Sequence, residues 1–206
     1  MNVLLQKSFL IGLALTLFTT SCASTKTLHV WKDEKHTQKL GKTLVIAVAE
    51  LDRMRDHAEN MLAWRLSDLG IEAIASNKVI PQLGSKSARE AIAAKVKELG
   101  VQNVVVIRAV SKDEYSQLVP GGVYLVPVSY YSGWNSFYAD SFSVVAVPGR
   151  AYDAEFFTMV TNIYDVRSET LVWSYLSRTK VEMSREGAIN PFIETIITQL
   201  ERGKLL

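Results

Sequence analysis

The chain has 206 residues, 23 of them Lys or Arg and 21 Asp or Glu, for a formal charge of +2. A chain so nearly balanced makes no electrostatic case for nucleic acid, which calls for a basic face. Hydrophobic residues at 48% and charged residues at 21% exclude a disordered chain and fit a globular fold. The one cysteine, Cys22, leaves no partner for an intramolecular disulfide and no thiolate cluster for a metal, so folding rests on a packed core.

In chain order, the first segment is Met1 to Ser24. Lys7 precedes an uncharged run from Ser8 to Ala23 whose apolar heart is Phe9 to Phe18. A spanning helix needs roughly 20 apolar residues, so this run reads as a secretory leader instead. Ser21 fills a small position immediately before Cys22, with Thr20 ahead of it; Thr19 stands one place further up. The arrangement resembles a bacterial lipoprotein signal peptide, which usually has Leu, Val or Ile where this chain has Thr19. The resemblance implies cleavage before Cys22, acylation of its thiol and attachment to a membrane. Ala23 follows, where an inner-membrane retention signal would have Asp, which by the same resemblance implies the periplasmic face of the outer membrane. Two or three acyl chains, at about 0.8 kcal/mol per buried methylene, hold firmly where one does not. The alternative is an ordinary secreted protein cleaved nearby, for example after Ala23.

Residues 22–42 are polar and mixed in charge, and read as a lipidated tether. Leu28, Val30 and Trp31 are the exception, and can form a short strand or a lid on the core. His29 and His36 lie seven apart with Asp33 and Glu34 between them, without the close ligand pairs of a structural metal site. They read as solvated histidines, and no metal or cofactor is expected.

Residues 43–206 read as one α/β domain. Thr43 to Ala49 is a β-branched run suited to a strand buried on both faces. A helix follows, with Asp52 as its N-cap, an apolar stripe of Ala58, Met61, Leu62, Leu66 and Leu69, and Gly70 as its stop. Within it Arg55 and Glu59 make an i,i+4 pair worth a few tenths of a kcal/mol. Ile71 to Ile80 reads as a second strand. A second helix carries Ala88, Ile92, Val96 and Leu99 after a Ser85 or Ser87 cap, and ends at Gly100. Val101 to Val110 reads as a third strand. Such alternation places strands in parallel with helices on the faces of the sheet. Later, Glu155 to Tyr164 and Leu171 to Thr179 read as a hairpin around Asp165 to Thr170, with Trp173 and Tyr175 on one face. The last helix, begun at Ser184 or Asn190 with Pro191 in its first turn, carries Ile189, Phe192, Ile193, Ile196, Ile197 and Leu200 and ends at Gly203. The expected fold is therefore a mixed sheet with a parallel β-α-β-α-β start, an antiparallel hairpin and a closing C-terminal helix.

Residues 111–152 break this rhythm with an insertion rich in Gly, Pro and aromatic side chains. Val123 to Val128 and Phe142 to Val147 flank a Ser-Gly-Trp-Asn centre, as in a long hairpin arm or an extended aromatic loop. Tyr130, Tyr131, Trp134, Phe137 and Tyr138 are the candidate partner-binding residues, because aromatic rings supply contact area at little rotamer cost. A covering lid on one sheet face is an equal alternative. A further alternative is an oligomeric, membrane-inserting arm over 123–147, although its residues do not alternate cleanly and Pro127 interrupts them.

Leu44 to Val48, the charged start Asp52 to Glu59, Leu69-Gly70-Ile71-Glu72-Ala73, the Tyr164-Asp165 hairpin ending in Leu171-Val172-Trp173-Ser174, and the closing amphipathic helix together resemble an uncharacterised family of small bacterial periplasmic lipoproteins. The topology is similar to the amino-terminal domain of the Tol-system translocation protein and to the curli secretion channel lipoprotein. These resemblances imply a mixed α/β sandwich used for protein contact, with an envelope protein as partner, and they transfer no functional residue. Nor does a catalytic constellation emerge. His57 stands beside Asp56 without a nucleophile, no Gly-x-Ser-x-Gly turn occurs, and Gly121-Gly122 lacks the helix of a phosphate loop. The expectation is a binding or scaffolding module and not an enzyme.

Overall fold

A computed structural model describes residues 25–49, 51–80, 86–109, 155–181 and 184–206, with side chains from 91 onward in the third of these and from 156 onward in the fourth. In chain order the elements are β1 (Thr25–Lys32), β2 (Thr43–Val48), α1 (Asp52–Asp68), β3 (Ala73–Ala75), a 3-10 turn (Ser76–Lys78), α2 (Lys86–Glu98), β4 (Asn103–Ala109), β5 (Glu155–Asp165), β6 (Thr170–Val181) and α3 (Ile189–Arg202). The six strands form one mixed sheet in the order β1-β6-β5-β4-β2-β3. β2 pairs in parallel with β3 and β4, while β4–β5, β5–β6 and β6–β1 are antiparallel. The fold is the mixed α/β architecture that the alternation of segments implies.

Each face of the sheet supports its own core. Val45, Ala47, Val105, Ile107, Ile163, Trp173 and Tyr175 pack beneath α1 and α3. Leu44, Ile46, Val104, Val106, Val160 and Tyr164 point the other way, toward Ile92 and Val96 of α2. This explains why β2 and β4 are continuous β-branched runs: a strand covered on both sides has no polar face to present. All six stripe residues of α3 are buried. At roughly 1.5–3 kcal/mol for each large apolar side chain taken from water, this helix contributes heavily to closing the core. Trp173 and Tyr175 stack at 5.7 Å on the same face.

Several boundaries differ from the sequence expectations. Part of the expected tether is a strand: Thr25–Lys32 forms an edge of the sheet, paired from Thr25↔Thr179 to Lys32↔Trp173. The short strand open to Leu28, Val30 and Trp31 is therefore present and longer than those residues suggest, because an edge strand buries little of either face and tolerates polar residues at its ends. The expected strand over Ile71 to Ile80 shrinks to Ala73–Ala75, because the chain then turns into Ser76–Lys78. Leu51, not Asp52, is the N-cap of α1, although Asp52 still places a carboxylate in the first turn where the helix dipole favours one. Ala188 is the N-cap of α3; Ser184 Oγ instead accepts the Gly187 N–H at 2.9 Å in the turn before it. Leu69, assigned to the apolar stripe, is exposed.

The helix stops follow one pattern. Gly70 and Gly100 adopt φ of 85° and 61°. Ile71 N–H returns to Leu66 O and Gly70 N–H to Ser67 O, as in a Schellman turn, and Val101 and Gly100 repeat this onto Val96 and Lys97. At the end of α3 the left-handed residue is Lys204, at φ 56°, and not Gly203. The bonds from Leu205 N–H to Leu200 O and from Lys204 N–H to Glu201 O identify the same motif shifted by one residue.

Candidate functional site

Cys22 and the five aromatic candidates Tyr130, Tyr131, Trp134, Phe137 and Tyr138 lie outside the described residues. The fold does define where their segments attach. β4 and β5 are adjacent antiparallel strands, and residues 110–154 run between Ala109 and Glu155. Neighbouring antiparallel strands need only two to five connecting residues, so this connection far exceeds what the sheet requires. It leaves from the end of the sheet where β2, β4 and β6 finish and β1 and β5 begin. Thr25, the first residue of β1 and three residues after Cys22, stands at that same end.

Near this end, at the finish of β2, lies a buried polar cluster. Glu59, fully buried, accepts at Oε1 from the Ala47 N–H (2.9 Å), Arg55 Nε (3.0 Å) and Ser76 Oγ (2.7 Å), and at Oε2 from the Asn77 N–H (2.6 Å). Arg55, 4% exposed, also donates from Nη2 to Ser76 Oγ at 3.1 Å and to the Ile80 carbonyl at 2.8 Å. The i,i+4 pair expected to be worth only a few tenths of a kcal/mol is therefore an internal one, with more at stake than that. The missed signal is positional: Arg55, Glu59, Leu62 and Leu66 fall on one helical stripe, so the face that buries the leucines also buries the pair. Both Glu59 oxygens are occupied by donors within the fold, and the cluster is closed to solvent. Its chemistry is that of a structural clasp.

His57 behaves likewise. His57 Nε2 donates to Asn190 Oδ1 at 2.8 Å, bridging α1 to α3. Its neighbour Asp56 accepts from Asn77 Nδ2 at 2.8 Å, and Arg53 pairs with Glu186 at 2.7 Å. His57 thus takes part in a helix–helix bridge. Arg65 reinforces that junction by gripping both oxygens of Glu194 at 2.6 and 2.9 Å, which together with the nearby Asp68 and Glu201 raises its pKa further above the usual guanidinium value. His29 sits on β1 opposite Leu176, and His36 lies in the loop beyond, its N–H bonded to the Asp33 carbonyl. Among the described residues no three His, Cys, Asp or Glu side chains are grouped to hold a metal, and no helix is long and apolar enough to cross a membrane.

At the same sheet end, one face of β1, β6 and β5 is basic. Lys26 lies directly opposite Arg178, which lies opposite Thr158; in the next row Lys180 lies opposite Phe156. The Arg178 guanidinium covers the Phe156 ring at 4.3 Å. All four of these long side chains, Lys26, Arg178, Lys180 and Phe156, are exposed.

By sequence the chain matches no protein-family model and no curated protein. Solved structures give more distant likenesses. A PelC dodecamer from Paraburkholderia phytofirmans, in a single-substitution form, shares 15% identity at a TM-score of 0.43, covering 82% of this chain and 94% of that one. PelC in a second crystal form gives 13% identity and 0.43, covering 84% and 96%. The lipoprotein GNA1162 from Neisseria meningitidis gives 13% identity and a TM-score of 0.36, covering 79% of this chain and 96% of that one. At these scores the likenesses carry no conclusion about function.

Proposed function

We propose that this chain is a lipid-anchored protein-binding or scaffolding module of the bacterial cell envelope, held through Cys22 at the periplasmic face of the outer membrane. Its contact surface is the aromatic segment around Tyr130, Tyr131, Trp134, Phe137 and Tyr138. One observation carries this reading: residues 110–154 join two strands that are already neighbours, so the segment is not needed to connect the sheet. A long connection of this kind in a compact domain usually serves function. The closed state of the Glu59 clasp and the bridging role of His57 support contact over catalysis, because neither offers a free base beside a nucleophile.

A second reading has a specific observation behind it. The inserted segment leaves the sheet at the end where β1 begins, three residues from Cys22, so it starts close to where the bilayer anchor would be. An oligomeric lipoprotein that inserts an arm over 123–147 would need that placement. Pro127 argues against a regular spanning strand there.

In-envelope crosslinking from positions 130, 131, 134, 137 and 138 separates the two. Discrete adducts with another envelope protein are expected. Adducts only with lipid or with further copies of the chain would favour the inserting arm.

A further inference from the structure

We propose that the basic sheet face formed by Lys26, Arg178 and Lys180, with Phe156, rests on the phosphate headgroups of the bilayer and fixes the orientation of the domain on the membrane. The inference deepens the anchor at Cys22 and rests on it.

The three cations come from two neighbouring strands and share one face: Lys26 on β1 is opposite Arg178 on β6, and Lys180 is two residues further along β6. Like charges placed directly opposite one another across strands oppose pairing. Here they persist at the sheet edge, with no carboxylate paired to any of the three among the described residues. An external anion relieves that repulsion. Phe156 supplies the apolar component. The residue is 41% exposed and its ring lies under the Arg178 guanidinium, an amphipathic pair suited to the boundary between headgroups and acyl chains.

Covalent reach selects the lipid surface over other anions. Cys22 is four residues from Lys26. At about 3.5 Å per residue, a chain of that length holds Lys26 within roughly 14 Å of an acylated Cys22. The patch therefore cannot move far from the bilayer once the anchor is in place. Two or three acyl chains already supply attachment, so the patch acts on which face of the domain meets the bilayer. Each cation near an anionic surface is worth about 1 kcal/mol, a factor of about five in local occupancy.

The test is amine labelling of the purified full chain on vesicles of phosphatidylglycerol or of phosphatidylcholine, read residue by residue by mass spectrometry, with the intact mass reporting acylation in the same sample. Lys204 is the internal control. It follows Gly203, whose carbonyl accepts from Lys32 Nζ at the far end of β1, about 23 Å of strand from Thr25. Expected is at least about fivefold slower labelling of Lys26 and Lys180 on phosphatidylglycerol than on phosphatidylcholine, erased by salt, with Lys204 unchanged. Arg178→Glu abolishes the protection. Lys26→Glu, which creates an opposite-charge pair with Arg178 and so preserves the strand, weakens it at Lys180. An acylated chain whose three lysines label alike on both vesicles overturns the patch and leaves the anchor standing. Protection in a chain without acyl groups keeps the patch and overturns the anchor. Neither acylation nor protection overturns both.

Discussion

The Glu59 carboxylate accepts the backbone N–H of Ala47 at 2.9 Å, so a helix side chain completes the hydrogen bonding of a central strand. The reason lies in β3, which ends at Ala75 opposite Val45 and leaves Ala47 without a partner on that side. Glu59 takes the place of the missing strand residue and also holds Ser76 and Asn77 in the following turn. Arg55 supplies the compensating charge that a buried carboxylate needs. Glu59→Leu should therefore destabilise the fold by about 3–5 kcal/mol, because it removes the carboxylate that faces a buried guanidinium and leaves the buried Ala47 N–H without its acceptor. The double variant Arg55→Met, Glu59→Leu should cost well under the sum of the two single changes. Urea unfolding of the four proteins measures the coupling, and strict additivity would show that the clasp is not a unit.

Lys204 holds the left-handed position that ends α3, while Gly203 just before it does not. A non-glycine residue in that conformation costs about 1–2 kcal/mol. Glycine there gives back about 0.4–1 kcal/mol through the greater freedom of its unfolded chain. Lys204→Gly should accordingly raise stability by about 0.5 kcal/mol or slightly more. Gly70→Ala, at φ 85° with nothing within 4 Å of the added Cβ, should lower stability through backbone conformation alone. Paired thermal melts of the two variants should move in opposite directions.

Because β4 and β5 are already neighbours, residues 111–152 should be replaceable by a short glycine-containing turn. The shortened chain is expected to unfold cooperatively and to lose its protein crosslinks. Loss of cooperative unfolding would mean that the aromatic segment serves as the lid of the sheet.

The β5–β6 turn carries a pH signature. Burial pushes the Asp165 carboxyl upward, but the Ser168 N–H and hydroxyl, both at 2.8 Å, together with Arg167 and His36 outweigh it and hold the group below the ordinary carboxylate range. A lowered folded value means that the stabilising contribution is complete above the unfolded value of about 3.9 and is lost as pH falls through the folded value. Asp165→Asn keeps an acceptor for Ser168 and removes only the charge. The stability gap between the two proteins should be constant near neutral pH and close below about pH 4. Since the turn is largely open to water, the gap should also shrink in salt.

Much of the scaffold is legible in the sequence because its signals are periodic. The short β-branched runs at Leu44 to Ala47 and Val104 to Ile107 suit buried strands, and the stripe from Ile189 to Leu200 suits a buried helix face. What escapes is decided by neighbours distant in sequence. Thr25–Lys32 is a strand because β6 offers it an edge; Leu28, Val30 and Trp31 signal only a short one, and the pairing sets its full length. Glu59 is buried because β3 is short, and helix spacing alone reads it as half of a weak i,i+4 pair. The basic face needs β1, β5 and β6 together, since Lys26 and Arg178 are 152 positions apart in the chain and adjacent in the sheet. The candidate contact residues between 130 and 138 stand out by aromatic composition, whereas the redundancy of their segment as a connection shows only once β4 and β5 are seen to be neighbours.

The intact mass of the chain recovered from bacterial membranes decides whether Cys22 becomes the acylated first residue of the mature protein. Expected is a species that lacks residues 1–21 and carries a diacylglyceryl group, with or without a third acyl chain, on Cys22. A mass matching a free thiol at Cys22, or a chain with its leader still attached, would contradict it.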